Sequence, residues 1–429
     1  MRTHHLALGR RRIPHRTIRV CLLLLPVWIL GAGEFQRLAA NNMTEGVLER
    51  NGFVKGRDFV QFYVAGSLAR DGRWREIYDV EGLKAAVARI VPEAAGDVPA
   101  PVYGPQVALL FAPWSELSYL TARWAWFAMS VALYVGAIAL LLQTAAPMRQ
   151  HRALVWTTAL LNPAFPILLG TGQTGGLAVL FWTVAAVAAS RGRALLFGLC
   201  LGLLEYKPPL VIGALPVLLI LRWWPALGGF ALSVGMQVGA SALVAGVRPW
   251  ALYLETAAGI RRYYYLTDTI PHYKQSVAGF FQLLLGTTWI SVALTGVAAV
   301  ALLALWLLRR SHRPIWLVPM LITTAVLLSP HFYVYDLVVL APALLMAAYG
   351  RMKLGSASSQ RALAASGYAL LLAPYSGVIA ARSGIQLSTL ALAVFLVALF
   401  GCSRADDQGA RPAAAPADDD AARAAGQDG

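Results

Sequence analysis

Residues 289–308 read WISVALTGVAAVALLALWLL, and residues 309–313 read RRSHR. At about 1.5 Å per residue the uncharged run makes a helix about 30 Å long, the thickness of a bilayer's hydrocarbon core. The basic turn behind it belongs in the cytoplasm by the positive-inside rule. The same pattern recurs along the chain. An apolar segment at about 119–143 leads to Arg149 and Arg152, a later one ends at Arg191 and Arg193, and Arg222, Arg351, Lys353 and Arg361 mark further basic turns. Lys and Arg therefore fall on alternate turns, which sends the residues capable of chemistry to the extracytoplasmic face.

Composition leads to the same class. With 58% hydrophobic residues, 13% charged residues and a mean hydropathy of +0.60, the chain is not an ordinary soluble domain, in which about a quarter of residues are charged. A net charge of +15 would suggest nucleic acid in a soluble chain, but Arg2, Arg10, Arg11, Arg12, Arg16 and Arg19 and the short turns carry the excess. The charge thus reports topology, and no nucleic-acid partner is expected. Cys21, Cys200 and Cys402 lie far apart in or beside apolar segments, with neither a disulfide framework nor metal-ligand spacing. No Gly-Lys-Ser/Thr phosphate loop, His-Glu-x-x-His or Gly-x-Ser-x-Gly occurs, and no internal repeat is visible.

The reading gives an all-α polytopic membrane protein of about 12 transmembrane or half-membrane helices. A single domain is expected over residues 1–402, with extracytoplasmic loops at about 34–116 and 248–276 and a disordered cytoplasmic tail at 403–429. The first span, Ile18 to Gly33, follows a basic N-terminus and reads as an uncleaved signal anchor, although Gly31-Ala32-Gly33 also has the small residues of a signal-peptidase site. In the first loop, Asp58 to Arg70 and Glu81 to Ile90 have helical periodicity suited to lying on the membrane surface. Between Ala194 and Leu221, two short apolar runs are split by Glu205-Tyr206-Lys207-Pro208-Pro209. They form a hairpin too short to cross, whose tip holds Lys207 at the floor of an outward-facing cavity. Both termini are placed in the cytoplasm and the protein in the cell's inner (plasma) membrane.

Several residues are candidates for a site. Asp58 precedes a helix, where it is either a helix cap or a catalytic carboxylate. Lys207 costs about 2.5–3.5 kcal/mol to bury on insertion scales, which favours a functional role such as binding phosphate over an internal ion pair or snorkelling. His331, in Ser329-Pro330-His331-Phe332-Tyr333-Val334-Tyr335-Asp336, serves either as a phosphate contact or as part of an interfacial aromatic belt. Gln173 and Gln275 suit sugar hydroxyls, and Tyr103, Tyr263, Tyr264, Tyr265 and Tyr273 suit stacking on sugar rings, although interfacial Tyr also occurs without ligands.

Taken in order, Asp58 to Tyr63 with Ala65, Gly72, Ile77-Tyr78-Asp79, Val102-Tyr103-Gly104-Pro105 leading into Leu109 to Pro113, Gly172-Gln173, Gly198 to Leu203, Lys207-Pro208, Gln275-Ser276 with Gly279, and Ser329-Pro330 resemble glycosyltransferase family 87, the DUF2029 group of the GT-C superfamily. Where the family often has Tyr-Pro-Pro, this chain reads Tyr103-Gly104-Pro105. The resemblance implies a GT-C-type fold and a transferase that moves a hexose, with mannose the first choice, from a polyprenyl-phosphate donor to a lipid or glycan acceptor. It implies inversion at the anomeric carbon with Asp58 as general base, donor-phosphate contacts from Lys207 and His331, and substrate contacts from Tyr63, Tyr103, Gln173 and Gln275. Neither metal nor cofactor is expected. The alternative is a transporter or lipid-linked glycan flippase, which also needs a polar cavity among helices. The topology predicts that a membrane-impermeant thiol reagent will label single cysteines placed beside Asp58 and His331 in intact cells but not one at Arg310. The opposite labelling pattern overturns the orientation.

Overall fold

A computed structural model describes residues 15–96, 102–144, 146–259, 270–308, 314–349 and 356–409. The arginines before residue 15, Tyr263 to Tyr265, the basic turn 309–313, Arg351, Lys353 and the tail beyond 409 lie outside the described residues. The described chain is helical, and its only strand-like pairings are two isolated bridges, Leu48 with Val54 and Lys274 with Tyr333.

Among the described residues, five helices are long and apolar enough to cross a membrane: Thr17–Asn42, Tyr119–Thr144, Trp224–Ala245, Trp289–Leu308 and Leu387–Arg404. Two broken pairs raise the number to seven, Arg152–Leu160 with Ala164–Thr171 bent by 44° and Ala357–Leu371 with Ala373–Ser383 bent by 55°. A proline sits at each break, Pro163 within the first and Pro374 just after the second, where its ring and missing N–H interrupt the helical ladder. At the first break the Asn162 side-chain oxygen accepts from the Ala164 N–H at 3.1 Å, replacing a lost backbone bond. Shorter apolar helices over Gly175–Ser190, Ala194–Tyr206, Ile315–Leu328 and Val334–Tyr349 fill the space between. The protein is a multi-pass membrane protein.

The hairpin expected between Ala194 and Leu221 is present as helix Ala194–Leu203, two single turns at Leu204–Tyr206 and Pro208–Leu210, and helix Leu215–Ile220. Helix Val80–Ile90 buries Leu83, Ala86 and Val87 while Lys84 and Arg89 face outward. Two expectations are corrected. Phe59–Arg70 is not a surface helix: Phe59, Phe62, Val64 and Leu68 are almost wholly buried, and Phe59 and Phe62 pack on Phe111 with ring centroids 6.1 and 4.8 Å away. Its polar positions are too few to present a wet face. The last helix runs from Leu387 to Gly409, so the first residues of the expected tail continue it.

Packing of the hairpin rests on a feature not drawn from the sequence. Gly198-Leu199-Cys200-Leu201-Gly202 places small residues one turn apart, a spacing that lets helix backbones touch in a membrane. Their partner is Trp224–Ala245, through Ala226, Gly229 and Ser233. A Cβ on Gly198 would collide with the Ala226 carbonyl, and one on Gly202 would lie 2.5 Å from the Ser233 Cβ. Nothing stands within 4 Å of a Cβ built on Gly228. Gly198→Val should therefore cost more than the ~1–3 kcal/mol of ordinary overpacking and sharply reduce the yield of monodisperse protein. Gly228→Ala should leave the thermal midpoint unchanged or slightly raised; equal tolerance of both substitutions contradicts this packing.

Candidate active site

Two tight turns meet at the base of the first loop. Gly56, at φ +70°, ends the approach to Asp58, and Gly172, at φ +72°, closes helix Ala164–Thr171. This left-handed backbone geometry favours glycine. The turns lie face to face, since a Cβ on Gly172 would fall 2.8 Å from the Phe59 Cβ and 3.5 Å from the Gly56 Cα. The Asp58 N–H donates to the Thr171 carbonyl at 3.0 Å. One face of Tyr119–Thr144 grips both turns. The Tyr119 hydroxyl donates to the Lys55 carbonyl at 2.8 Å, the Arg123 guanidinium to Leu169 at 2.6 Å, and the Trp126 indole to Gly172 at 3.1 Å.

Asp58 sits where a helix cap would, but its side chain makes no capping bond. Its Oδ2 instead accepts from Gln173 Nε2 at 3.0 Å. The opposite Gln173 atom, Oε1, is buried without a hydrogen-bond partner among the described residues. Asp58 keeps some exposed surface, yet protein crowds it closely enough to deprive a charge of hydration. Burial raises its pKa above the usual carboxylate value and the Asp336 charge adds to the shift, while the Gln173 hydrogen bond, Lys207 and Arg57 pull the other way. The carboxylate is thus made more basic.

The hairpin tip brings Lys207 to the same place. Its ammonium donates to Asp336 Oδ1 at 2.6 Å, with the two side chains only 3% and 0% exposed, and it lies 5.0 Å from the centre of the Tyr335 ring. Asp336 Oδ2 accepts from the Tyr333 N–H at 3.3 Å. Lys207 therefore pairs not with its neighbour Glu205 but across the fold. The ammonium has three donors, and Asp336 takes one. Tyr206 fixes the tip by donating to the Thr174 carbonyl at 2.9 Å, next to Gln173.

Other expected residues divide into two groups. Tyr103 belongs to the cluster: Asp336, Asp58 and Tyr206 all act on its hydroxyl, the Gln173 amide lies within its reach, and burial pushes its pKa well up, so it stays protonated. His331 packs tilted against Tyr333, with ring centroids 4.6 Å apart, and burial, then the Lys207 and Lys274 charges, push its pKa down to about 3. It is neutral at physiological pH and can offer a hydrogen bond but no positive charge. Tyr63 points elsewhere, donating to the Leu117 carbonyl at 2.7 Å. Gln275 is fully buried; its oxygen accepts from Ser388 and Ser376 and its amide donates to the Tyr273 carbonyl at 3.1 Å, which ties the second loop to the C-terminal helices. Among the described residues, no three His, Cys, Asp or Glu side chains converge to hold a metal ion.

Tyr335 and Asp336, which the sequence groups with His331 and Tyr333 as one outside cluster, join the site through Lys207, whereas Tyr206 and Arg123 carry no local signal in the sequence. An aspartate opening the apolar run 336–340 is itself a signal, because such a charge needs a partner.

A polytopic helical protein with buried carboxylates and a lysine gathered beneath one loop is the class that fold and site define. The sequence profile of glycosyltransferase family 87 matches residues 102–330, more than half of the chain, and the protein belongs to that family. It is a glycosyltransferase. No curated protein and no solved structure matches it.

The ion pair yields a stability test. Lys207→Met leaves Asp336 buried without its partner and should cost about 3–5 kcal/mol. Lys207→Met combined with Asp336→Leu should recover most of that stability in thermal unfolding. A double variant no more stable than the single one removes the pair from the fold.

Proposed function

We propose that this glycosyltransferase transfers a hexose, with mannose the first candidate, from a polyprenyl-phosphate donor to a hydroxyl of a lipid or glycan acceptor on the extracytoplasmic face, with inversion. The observation that carries this reading is the placement of Asp58, poised by Gln173, opposite the buried Lys207–Asp336 pair. One side of the cluster offers a base and the other an ammonium with donors to spare. The basic turns support a position for this cluster on the side away from cytosolic nucleotide sugars, and so a lipid-linked donor. The same grounds favour a GT-C-type arrangement, with the loop 34–116 capping the bundle.

In this mechanism the Asp58 carboxylate takes the acceptor hydroxyl proton while that oxygen attacks the anomeric carbon from the face opposite the phosphate. A new carbon–oxygen bond forms as the bond to the phosphate oxygen breaks, and the electron pair leaves with the lipid phosphate. The Lys207 ammonium then neutralises part of that charge in a site with little water, where such a contact is strongest. His331, being neutral, adds at most a hydrogen bond, as does the protonated Tyr103. The free Gln173 oxygen is placed to accept from a sugar hydroxyl, so the residue that orients the base also reads the substrate.

A base must be deprotonated to work. The raised pKa of Asp58 therefore puts the acid limb of the rate profile above the ordinary carboxylate value of 3.8, with activity rising as pH rises through it. Loss of the Gln173 hydrogen bond in Gln173→Leu destabilises the ionised form and should move that limb to higher pH. Incubating purified protein in nanodiscs with polyprenyl-phosphate mannose and a lipid acceptor pool, with product detected by mass spectrometry, tests both steps. Wild type should give a hexose-shifted product, and Asp58→Asn should lower its rate at least ~100-fold, the low end for loss of a general base. Full turnover by Asp58→Asn removes Asp58 as the base.

A further inference from the structure

A cavity of about 860 Å³ shares no lining residue with the Asp58 cluster. It lies between the start of helix His15–Asn42, the broken pair around Asn162, helix Ala341–Tyr349 and helix Ala357–Leu371. Most of its wall is apolar. Arg361 is the one Lys or Arg among its described lining residues, and His151, Tyr349 and Tyr368 line it as well. His151 lies 5.8 Å from the Tyr349 ring, joining two rims that are far apart in sequence. Among the described residues, no carboxylate lines the cavity.

The length of the cavity is informative. Along helix Ala357–Leu371 the lining runs from Arg361 to Leu371, about 15 Å at the helical rise. That is half of a hydrocarbon core about 30 Å thick, so the cavity accommodates a hydrocarbon chain from one leaflet and closes near the midplane, at Asn162. Its charged end coincides with the turns that carry Arg149 and Arg152, where headgroups of that leaflet would lie. Arginine with hydrogen-bonding neighbours and no opposing carboxylate favours a phosphate.

We infer that this cavity binds an anionic phospholipid from the leaflet at the basic end of the bundle, with one acyl chain between the first helix and helix Ala357–Leu371 and its phosphate held by Arg361 and His151. The bound chain covers Leu23 of the first helix, which lines the cavity and is otherwise exposed. This lipid is distinct from the glycosyl donor, and its site does not depend on the role proposed for Asp58.

Native mass spectrometry of the full-length protein tests this, after exchange in detergent against equal amounts of phosphatidylglycerol and phosphatidylcholine. Wild type should retain one lipid with about a fivefold preference for phosphatidylglycerol, the effect of one basic side chain near a headgroup. Arg361→Gln should lose the preference while keeping a lipid, and Ala364→Phe, which puts a bulky ring into the cavity, should weaken lipid retention while eluting as monodisperse protein. No retained lipid, equal retention of the two lipids by wild type, or unchanged binding by Ala364→Phe overturns the inference. So does displacement by inorganic phosphate, which would make the rim a free-anion site, or by polyprenyl phosphate, which would assign the cavity to the donor.

Discussion

A lysine ammonium buried among apolar helices has to be paired, and the pairing of Lys207 with Asp336 organises the middle of this protein. Neither charge is tolerable alone in that setting, since each leaves water and recovers its hydration only through the other and through neighbouring donors. The pair joins two segments that cannot cross a membrane unaided, the hairpin between Ala194 and Leu221 and the turn that opens at Val334. Both bring non-helical backbone to the same depth, which a membrane protein accepts only where the freed groups find partners or line a cavity. Here they do both: the tip is held by Tyr206 and the turn by the Asp336 carboxylate itself.

Asp58 is held by a second device, built from hydrogen bonds rather than charge. Tyr119, Arg123 and Trp126 project from one face of a single long helix and bind carbonyls of the two turns on either side of the Asp58–Gln173 contact. Because that helix also crosses the bundle, the position of the candidate base is referred to the membrane-spanning scaffold and not to the loop in which it lies. Two glycines with positive φ permit the close approach, and any side chain at Gly172 would push Phe59, and with it Asp58, away from Gln173. Buried hydrogen-bonded positioning of this kind keeps a carboxylate at fixed distance from a substrate.

Small residues set the remaining geometry. The contact through Gly198, Gly202, Ala226 and Gly229 brings two helices to backbone distance, so the hairpin is anchored at its base while its tip carries Lys207 inward. In lipid there is no hydrophobic gain between helices, and close packing of this sort is what remains to hold them together. Aromatic side chains perform the same task in the first loop, where Phe59, Phe62, Phe111 and Trp126 form one continuous stack beneath the site.

Length and apolarity by themselves determined the class of this protein, its long spans such as Trp289–Leu308 and the short split hairpin, because these depend on runs of residues close in sequence, and short motifs in order along the chain carried the family resemblance. The sequence also marked Asp58, Gln173 and Lys207, since a charge or amide beside a glycine turn or inside an apolar run is anomalous locally. It did not reveal that Gln173 would hold Asp58, that Lys207 would choose Asp336 over Glu205, or that Tyr63 and Gln275 would turn to backbone and serine partners away from the cluster. Those outcomes join residues 115 and 129 positions apart, and no local pattern encodes such a distance. Only the packing of helices, fixed by glycine contacts and by the need to pair buried polar groups, decided which of the marked residues would meet.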